Sequence, residues 1–302
     1  MKTDGLTEIG RGMESTAYRL KDGRVLKVCH RYTAERFQSL EGFKGFYNSL
    51  DTSGVPFALP EIHENLLEDG RIFTVEKFIP GFSFISRMKS WNEEEARAYT
   101  RRYAEALLAL REVSCKNPGD DPFGYKRLSG SGDIETWNQL LTRPMGPDFE
   151  KNRVYFEKNV PGLKARLPVL AAYLEKVSFE KPTLLHGDYC PENVLMTESG
   201  EVAGIIDFGF PGVLGDYLFD VATAWRFIDM YDACPYPYKD WFMEAVRRVN
   251  PLSRGQERTL CAYILFYSLH SAGSFSKDLS DGHAAWCFKN LNNQAYWSAV
   301  GA

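Results

Sequence analysis

No block of like charge, no apolar run of bilayer length and no paired-cysteine motif stands out in these 302 residues. Each absence removes a class of function. Lys+Arg 36 against Asp+Glu 40 gives a formal net charge of -4 with no basic stripe, which disfavours a nucleic-acid partner. No stretch approaches the ~20 consecutive apolar residues that span a bilayer. Met1 to Gly5 runs into polar sequence without the apolar core of a signal peptide, so no membrane role is expected and a cytoplasmic location is. The six cysteines, at 29, 115, 190, 234, 261 and 287, form no C-x-x-C pair, and the five histidines show no ligand spacing. Reduced thiols are expected, with no zinc or redox centre. Internal repeats and low-complexity tracts are also missing.

What is present suits a two-lobed enzyme acting as a monomer. At 302 residues, 44% hydrophobic and 25% charged, the chain can bury one large core or two modest ones. Strand-length runs at Leu6–Ile9, Thr16–Leu20 and Arg24–Val28, with a turn at Lys21-Asp22-Gly23, predict an antiparallel meander. A helix is expected over Ala34–Leu50, then strands at Leu59–His63 and Arg71–Phe78. At Ile79-Pro80-Gly81 helices take over. Ser90 and Asn92 each precede a glutamate by three residues, as at a capped helix start, and Ala96, Tyr99, Tyr103, Leu107 and Leu110 follow at helical spacing. Further helices are expected near 135–142, 150–176, 217–231, 238–250, 255–272 and 282–298, with the all-apolar Tyr263–Leu269 stretch central. One β insertion interrupts them: Leu184–His186, Val194–Met196 and Val202–Ile206, with Glu198 to Glu201 as a turn. The fold class is thus α+β, a small antiparallel N-terminal sheet (1–78) joined to a mainly helical C-terminal part (79–302).

The chemistry concentrates in the insertion. If Val194–Met196 and Val202–Ile206 pair, residue numbers across the ladder sum to about 399 or 400, and Asn193 falls opposite Ile206 or Asp207. An amide oxygen and a carboxylate then lie side by side at the hairpin's open end. Two hard oxygen ligands suit Mg²⁺, which fills the rest of its octahedron with water and phosphate oxygens. Asp188, five residues before Asn193 on a loop leaving a strand, is placed to accept the proton of an attacking hydroxyl.

The string His186-Gly187-Asp188-Tyr189-Cys190-Pro191-Glu192-Asn193, then Ile205-Ile206-Asp207-Phe208-Gly209 and Gly215-Asp216-Tyr217-Leu218-Phe219-Asp220, resembles the aminoglycoside phosphotransferase and choline kinase-like superfamily. Pro191-Glu192-Asn193 and Asp207-Phe208-Gly209 also match eukaryotic protein kinases. Against that branch, His-Gly-Asp replaces His-Arg-Asp and no Ala-Pro-Glu follows. The resemblance implies a protein-kinase-like fold, ATP and Mg²⁺ as cofactors, Asp188 as catalytic base, and Asn193 and Asp207 as metal ligands. Asp216, Asp220 and His186 are implied to order the catalytic loop.

The N-terminal half supplies matching parts. Gly10-Arg11-Gly12-Met13-Glu14-Ser15 bridges the first two strands, and Gly10, Gly12 and Ser15 are candidates to approach phosphates. The string is neither a Walker A loop nor a Rossmann fingerprint, because a strand follows it. Lys27 resembles the third-strand lysine of kinases, which holds the α and β phosphates while paired with a helix glutamate; Glu41 is the first candidate for that partner and Glu35 the alternative. Phe73 to Phe78 occupies the place of the adenine-binding hinge, with Glu76 and Phe78 at its end.

For the acceptor, Glu135-Thr136-Trp137, Ala262 to Leu265 and Asp281 to Trp286 are similar to the hygromycin B phosphotransferase subgroup. The expected reaction is phosphoryl transfer from ATP to a hydroxyl of an aminoglycoside or aminocyclitol. Asp229, Asp278 and Asp281 are candidate carboxylates for its amines, and Trp225 and Phe227 candidate platforms for its sugar faces. The alternatives are a metabolic kinase for choline, a sugar, an amino alcohol or a macrolide, or a catalytically silent nucleotide-binding protein of the same fold.

Overall fold

A computed structural model describes residues 5–12, 15–30, 34–115, 136–209, 213–231 and 235–301. Met13, Glu14, Glu135 and the Glu35 side chain lie outside the described part. The N-terminal half contains β1 (Thr7–Arg11), β2 (Ser15–Arg19), β3 (Val25–Cys29), α1 (Ala34–Asn48), β4 (Leu50–Asp51), β5 (Ile62–Glu68) and β6 (Arg71–Glu76). Five of the strands form one antiparallel sheet in the order β1-β2-β3-β6-β5. Gly23, at φ 90°, makes the β2–β3 turn, and the Leu20 amide donates to Arg24 O at 2.9 Å. Positive φ is the backbone state that favours glycine there. The strand expected over Leu59–His63 starts instead at Ile62, after Pro60, which has no amide to give a ladder. It continues to Glu68 and reverses at Asp69-Gly70. Leu26, Phe73 and Val75 form the core of the sheet.

Past the sheet come β7 (Phe82–Ser83), α2 (Phe84–Arg87), α3 (Glu93–Ala109) and β8 (Ser114–Cys115). Of the two expected caps, Asn92 with Glu95 is the one that forms: each side chain accepts the other residue's amide at 3.0 Å. Next are α4 (Trp137–Lys151), α5 (Arg153–Asn159), α6 (Leu163–Leu174), β9 (Thr183–Leu184), β10 (Val194–Met196), β11 (Val202–Ile205) and β12 (Leu214–Gly215). The chain ends in α7 (Leu218–Phe227), a 3₁₀ turn (Ile228–Met230), α8 (Tyr238–Val249), α9 (Arg254–Ser271), α10 (Gly282–Leu291) and α11 (Gln294–Val300).

Two expected single helices are split. The 150–176 segment breaks at Val160-Pro161-Gly162, where proline cannot extend the helix and Gly162 turns to φ 76°. The 282–298 segment breaks at Asn293, whose side chain caps α11 by accepting the Ala295 amide at 3.0 Å. Conversely α4 runs to Lys151, with Pro144 and Pro147 inside it. Helix α9 is central as expected: it packs on α4, α6, α7, α10 and α11 and buries Tyr263, Ile264, Leu265, Phe266 and Leu269. Among the described residues no helix is long and apolar enough to cross a membrane.

The β10–β11 hairpin joins the two halves. Val194 faces Ile205 and Leu195 faces Gly204, sums of 399, and β7 pairs on the other edge of β10. From the N-terminal half, Ala58 bonds both ways to the hairpin, its amide to Ala203 O and its carbonyl to the Ile205 amide, each at 3.0 Å. That approach requires a glycine at 204, where a Cβ would meet Ile79 Cγ2 at 2.6 Å and Ala58 O at 2.9 Å. Gly204→Ala should therefore cost about 1–3 kcal/mol of stability, read by urea denaturation. An unchanged midpoint would show that the Ala58 segment is not tightly held.

Candidate active site

The loop over residues 186–193 is fixed from below by a buried carboxylate. Asp220, on the first turn of α7, accepts the backbone amides of His186 at 2.5 Å and Gly187 at 2.8 Å. Burial pushes its carboxyl up to about 7 while those two donors pull the other way. Asp216 accepts the Leu218 amide at 3.1 Å and the Tyr263 hydroxyl at 2.7 Å, and Tyr263 in turn accepts the Trp137 indole N–H at 3.0 Å. Tyr103 and Tyr189 donate hydroxyls to each other's backbone carbonyls at 2.7 Å. Each of these side chains has its partner, and a network of that kind makes a loop rigid.

His186 is wholly buried and bridges two segments. Its Nε2 donates to Ile206 O at 2.8 Å and its Nδ1 accepts the Asp188 amide at 3.1 Å, with the Phe208 ring 4.4 Å from its own. The Gly209 amide returns to His186 O at 2.9 Å. Burial lowers the imidazole to about 4, so it stays neutral and serves to order the loop.

Asp188 and Asn193 meet in the structure, a contact that the sequence reading does not anticipate. The Asn193 Nδ2 donates to Asp188 O at 2.9 Å and to Asp188 Oδ2 at 3.2 Å, which turns the Asn193 amide oxygen away from the base. The Ile206 amide donates to Asn193 O at 2.9 Å, so Asn193 stands opposite Ile206 and one residue from Asp207. Asp207 has φ 57°, a left-handed conformation that a short polar residue tolerates better than most. A Cβ at Gly209 would lie 2.7 Å from Asp188 Cβ, so only glycine lets the two segments come together.

The carboxylate of Asp207 reaches Lys27 across the cleft. Lys27 Nζ contacts Asp207 Oδ1 and also Glu76 Oε2, the latter at 2.9 Å. Burial works against the ammonium, but Asp207 and Glu76 together outweigh it and hold Lys27 above an ordinary lysine. Burial likewise opposes the charge of Asp207, and Lys27 more than offsets it. The Asp207 side chain is still 47% exposed, open to a ligand in the cleft.

Two groups of sequence-derived candidates need correction. Glu41 does not meet Lys27: it is exposed and accepts the Asn65 amide at 2.8 Å. Glu76 takes that place because Lys27 faces Thr74 and Val25 faces Glu76, so Lys27 and Glu76 are diagonal neighbours on one face. That relation was available from pairing the strand-like runs. In the acceptor group, Phe227 is 1% exposed and packs on Tyr267 and Trp286 in the core. Asp229 is neutralised by Arg226 and by Lys239 at 2.5 Å. Asp281 caps α10, accepting the Ala284 amide at 2.9 Å, and Asp278 accepts the Ser280 hydroxyl at 2.8 Å. Trp225 is half-buried beside Arg226. Trp137 and Trp286 belong to the core.

The remaining candidates lie along β1 and β2 and just past β6. Gly10 and Gly12 have open space where a Cβ would sit, apart from Ser15 O at 3.9 Å from Gly12, and neither has positive φ. The Gly12 amide donates to Ser15 O at 2.9 Å. The Phe78 ring carries the Arg19 guanidinium at 3.3 Å. The Lys77 amide is taken by Glu61 O at 3.0 Å, and Phe78 follows it two residues past the end of β6. No cluster of three or more His, Cys, Asp or Glu side chains suited to a metal occurs among the described residues. One carboxylate with one amide oxygen is nevertheless a sufficient protein share for Mg²⁺ beside a nucleotide.

The model of the phosphotransferase enzyme family, APH, matches residues 5–239. An aminoglycoside 3'-phosphotransferase of Streptomyces fradiae is 27% identical over 201 residues, 65% of this chain and 68% of that protein. Among solved structures, the GDP complex of an aminoglycoside 2'-phosphotransferase-IIIa mutant superposes with a TM-score of 0.65 at 15% identity, over 97% of this chain and 93% of that one. The GDP and kanamycin complex of APH(2")-IIIa gives 0.63 at 14% identity, over 100% and 95%. These structures share the two-lobed, kinase-like fold.

The neutral His186 makes the loop's stability depend on pH. Its folded value of about 4 lies below the ordinary 6.5, so between those limits the unfolded chain binds a proton that the native one does not. Stability from this group is full above pH ~6.5 and falls by up to ~1.4 kcal/mol per unit as pH drops toward ~4. His186→Asn should flatten that part of the profile in denaturation at stepped pH; parallel profiles would contradict it.

Proposed function

This chain belongs to the phosphotransferase enzyme family, and from that premise we propose that it moves the γ-phosphoryl group of ATP to a hydroxyl of an aminoglycoside or aminocyclitol. The observation that carries the reading is the convergence of Lys27, Asp207, Asn193 and Asp188 at one cleft. Lys27 holds the nucleotide's α and β phosphates once Asp207 is drawn off it, and Glu76 remains to keep the ammonium oriented. The Phe78 peptide at the end of β6 meets the adenine. Asn193 and Asp207 would hold Mg²⁺, which when bound supplies charge neutralisation for the phosphates.

Asp188 does the proton chemistry. Its carboxylate is oriented by Asn193 Nδ2 and takes the proton of the acceptor hydroxyl as that oxygen bonds to the γ-phosphorus. The bond from phosphorus to the β–γ bridging oxygen breaks and ADP leaves. Phosphoryl transfer needs little covalent work from a protein, so rigidity of the loop and alignment of the reactants carry most of the rate.

The acceptor assignment is supported by the named activity of the Streptomyces fradiae relative, and hygromycin B is the first compound to try. Coupled ADP release should rise with one or more aminoglycosides. Asp188→Asn should lower turnover by at least ~10³-fold while ATP affinity changes less than about threefold, because a base acts in the chemical step. Near-normal turnover in that variant would overturn the assignment of the base. A response to choline or a simple sugar, with none to aminoglycosides, would replace the acceptor; ATP binding with no acceptor at all would favour a silent binder.

A further inference from the structure

Asp229 is paired with Arg226 and Lys239, Asp281 caps a helix, Asp278 is tied to Ser280 within its own turn, and Asp216 and Asp220 are buried beneath the loop, so a carboxylate next to the reaction centre itself is sought elsewhere. The catalytic loop itself carries one. Glu192 lies four residues from Asp188 and is exposed between buried Pro191 and Asn193. The loop is a tight turn: the Cys190 amide donates to Asp188 O at 2.8 Å and the Asn193 amide to Cys190 O at 3.0 Å. Its outer edge is pinned where the Ile85 amide donates to Pro191 O at 3.1 Å.

The two ends of the loop are tied to different parts of the fold. The Asn193 carbonyl accepts the Ile206 amide at 2.9 Å, beside Asp207. Glu192 Oε2 accepts the hydroxyl of Tyr231, just beyond the 3₁₀ turn that follows α7, which ties this side chain to the helical half. An in-line displacement brings the acceptor to Asp188 from the side opposite the leaving ADP, and an acceptor held by the helical half meets Glu192 beside Asp188.

Charge points the same way. Residues 186–193 contain two acids and no base, and the histidine among them is buried. Among the described residues no lysine or arginine pairs with Glu192, although Lys27 answers Asp207 and Arg226 and Lys239 answer Asp229. The Tyr231 hydroxyl engages one carboxylate oxygen and fixes the side chain without cancelling its charge. A carboxylate oriented by a neutral donor beside a reaction centre is prepared for a cation.

We infer that Glu192, held by Tyr231, is the acceptor-recognising carboxylate of this enzyme and takes a protonated amine of the acceptor next to the hydroxyl that Asp188 serves. Tyr231 is a positioning residue. This rests on the phosphotransfer reading above and narrows it to acceptors with an ammonium within about one sugar ring of the phosphorylated hydroxyl.

Steady-state kinetics with kanamycin and hygromycin B, on wild type, Glu192→Gln and Tyr231→Phe, tests it. In Glu192→Gln the acceptor KM should rise about tenfold or more, with kcat within about threefold and ATP affinity unchanged. Tyr231→Phe should shift the same KM by a smaller factor. The wild-type KM should also rise between low and ~1 M salt, where screening reaches within ~3 Å, and the Glu192→Gln value should rise less. A purely structural role would not produce that difference. Unchanged KM, or parallel salt curves, would overturn the inference while leaving the phosphotransferase reading intact. If Glu192→Gln fails to fold, Tyr231→Phe and Glu192→Asp decide by the same criteria. If wild type turns over neither compound nor any other amine-bearing alcohol, the acceptor reading falls and this inference falls with it.

Discussion

The Lys27 ammonium, shared between Glu76 on its own sheet and Asp207 across the cleft, is the contact on which the site depends. A lysine side chain only 16% exposed needs compensation for lost hydration, and two carboxylates supply it. One of the two is fixed by strand pairing between β3 and β6. The other sits on a left-handed residue at the end of a hairpin and keeps half its surface in the cleft. The arrangement is therefore asymmetric: Glu76 is the more buried partner on the same sheet, while Asp207 is the exposed one, the group that the proposed nucleotide and metal would draw away.

Behind that contact the catalytic loop is over-determined. Asp220 binds its first two amides, the His186 ring ties it to Ile206 and Asp188, and Tyr189 locks it to α3 through Tyr103. The β10–β11 hairpin fastens the same unit to the N-terminal half through Ala58 and Gly204. Their effect is to hold Asp188 and Asn193 still, the condition that the proposed roles of base and metal ligand require.

Much of this was legible in the residues. The hairpin sum of 399 followed from a turn at Glu198 to Glu201 and held for Val194 with Ile205, because register is set by the turn and the apolar pattern. The α3 cap was readable from Asn92 and Glu95, and the central place of α9 from its all-round apolarity. Short strands such as β12 were not, since two residues carry no period. Of the two helix glutamates expected beside Lys27, Glu41 lies elsewhere and the Glu35 side chain is outside the described residues; the contact with Glu76 follows from strand register, a diagonal relation that helix position does not encode. The expected acceptor carboxylates rest on local similarity and on the general need of a cationic sugar for acids. Whether an aspartate caps a helix, as Asp281 does, or neutralises two bases, as Asp229 does, is decided by tertiary contacts that no spacing encodes.

In the proposed function the Asp207 and Asn193 oxygens form a magnesium–nucleotide site facing Lys27. Calorimetric titration of ATP with and without Mg²⁺ measures this without any acceptor. Wild type should bind ATP at least about tenfold more tightly with the metal, Asp207→Ala should lose that gain, and Asn193→Ala should keep only part of it. The same magnesium dependence in all three proteins would contradict the site.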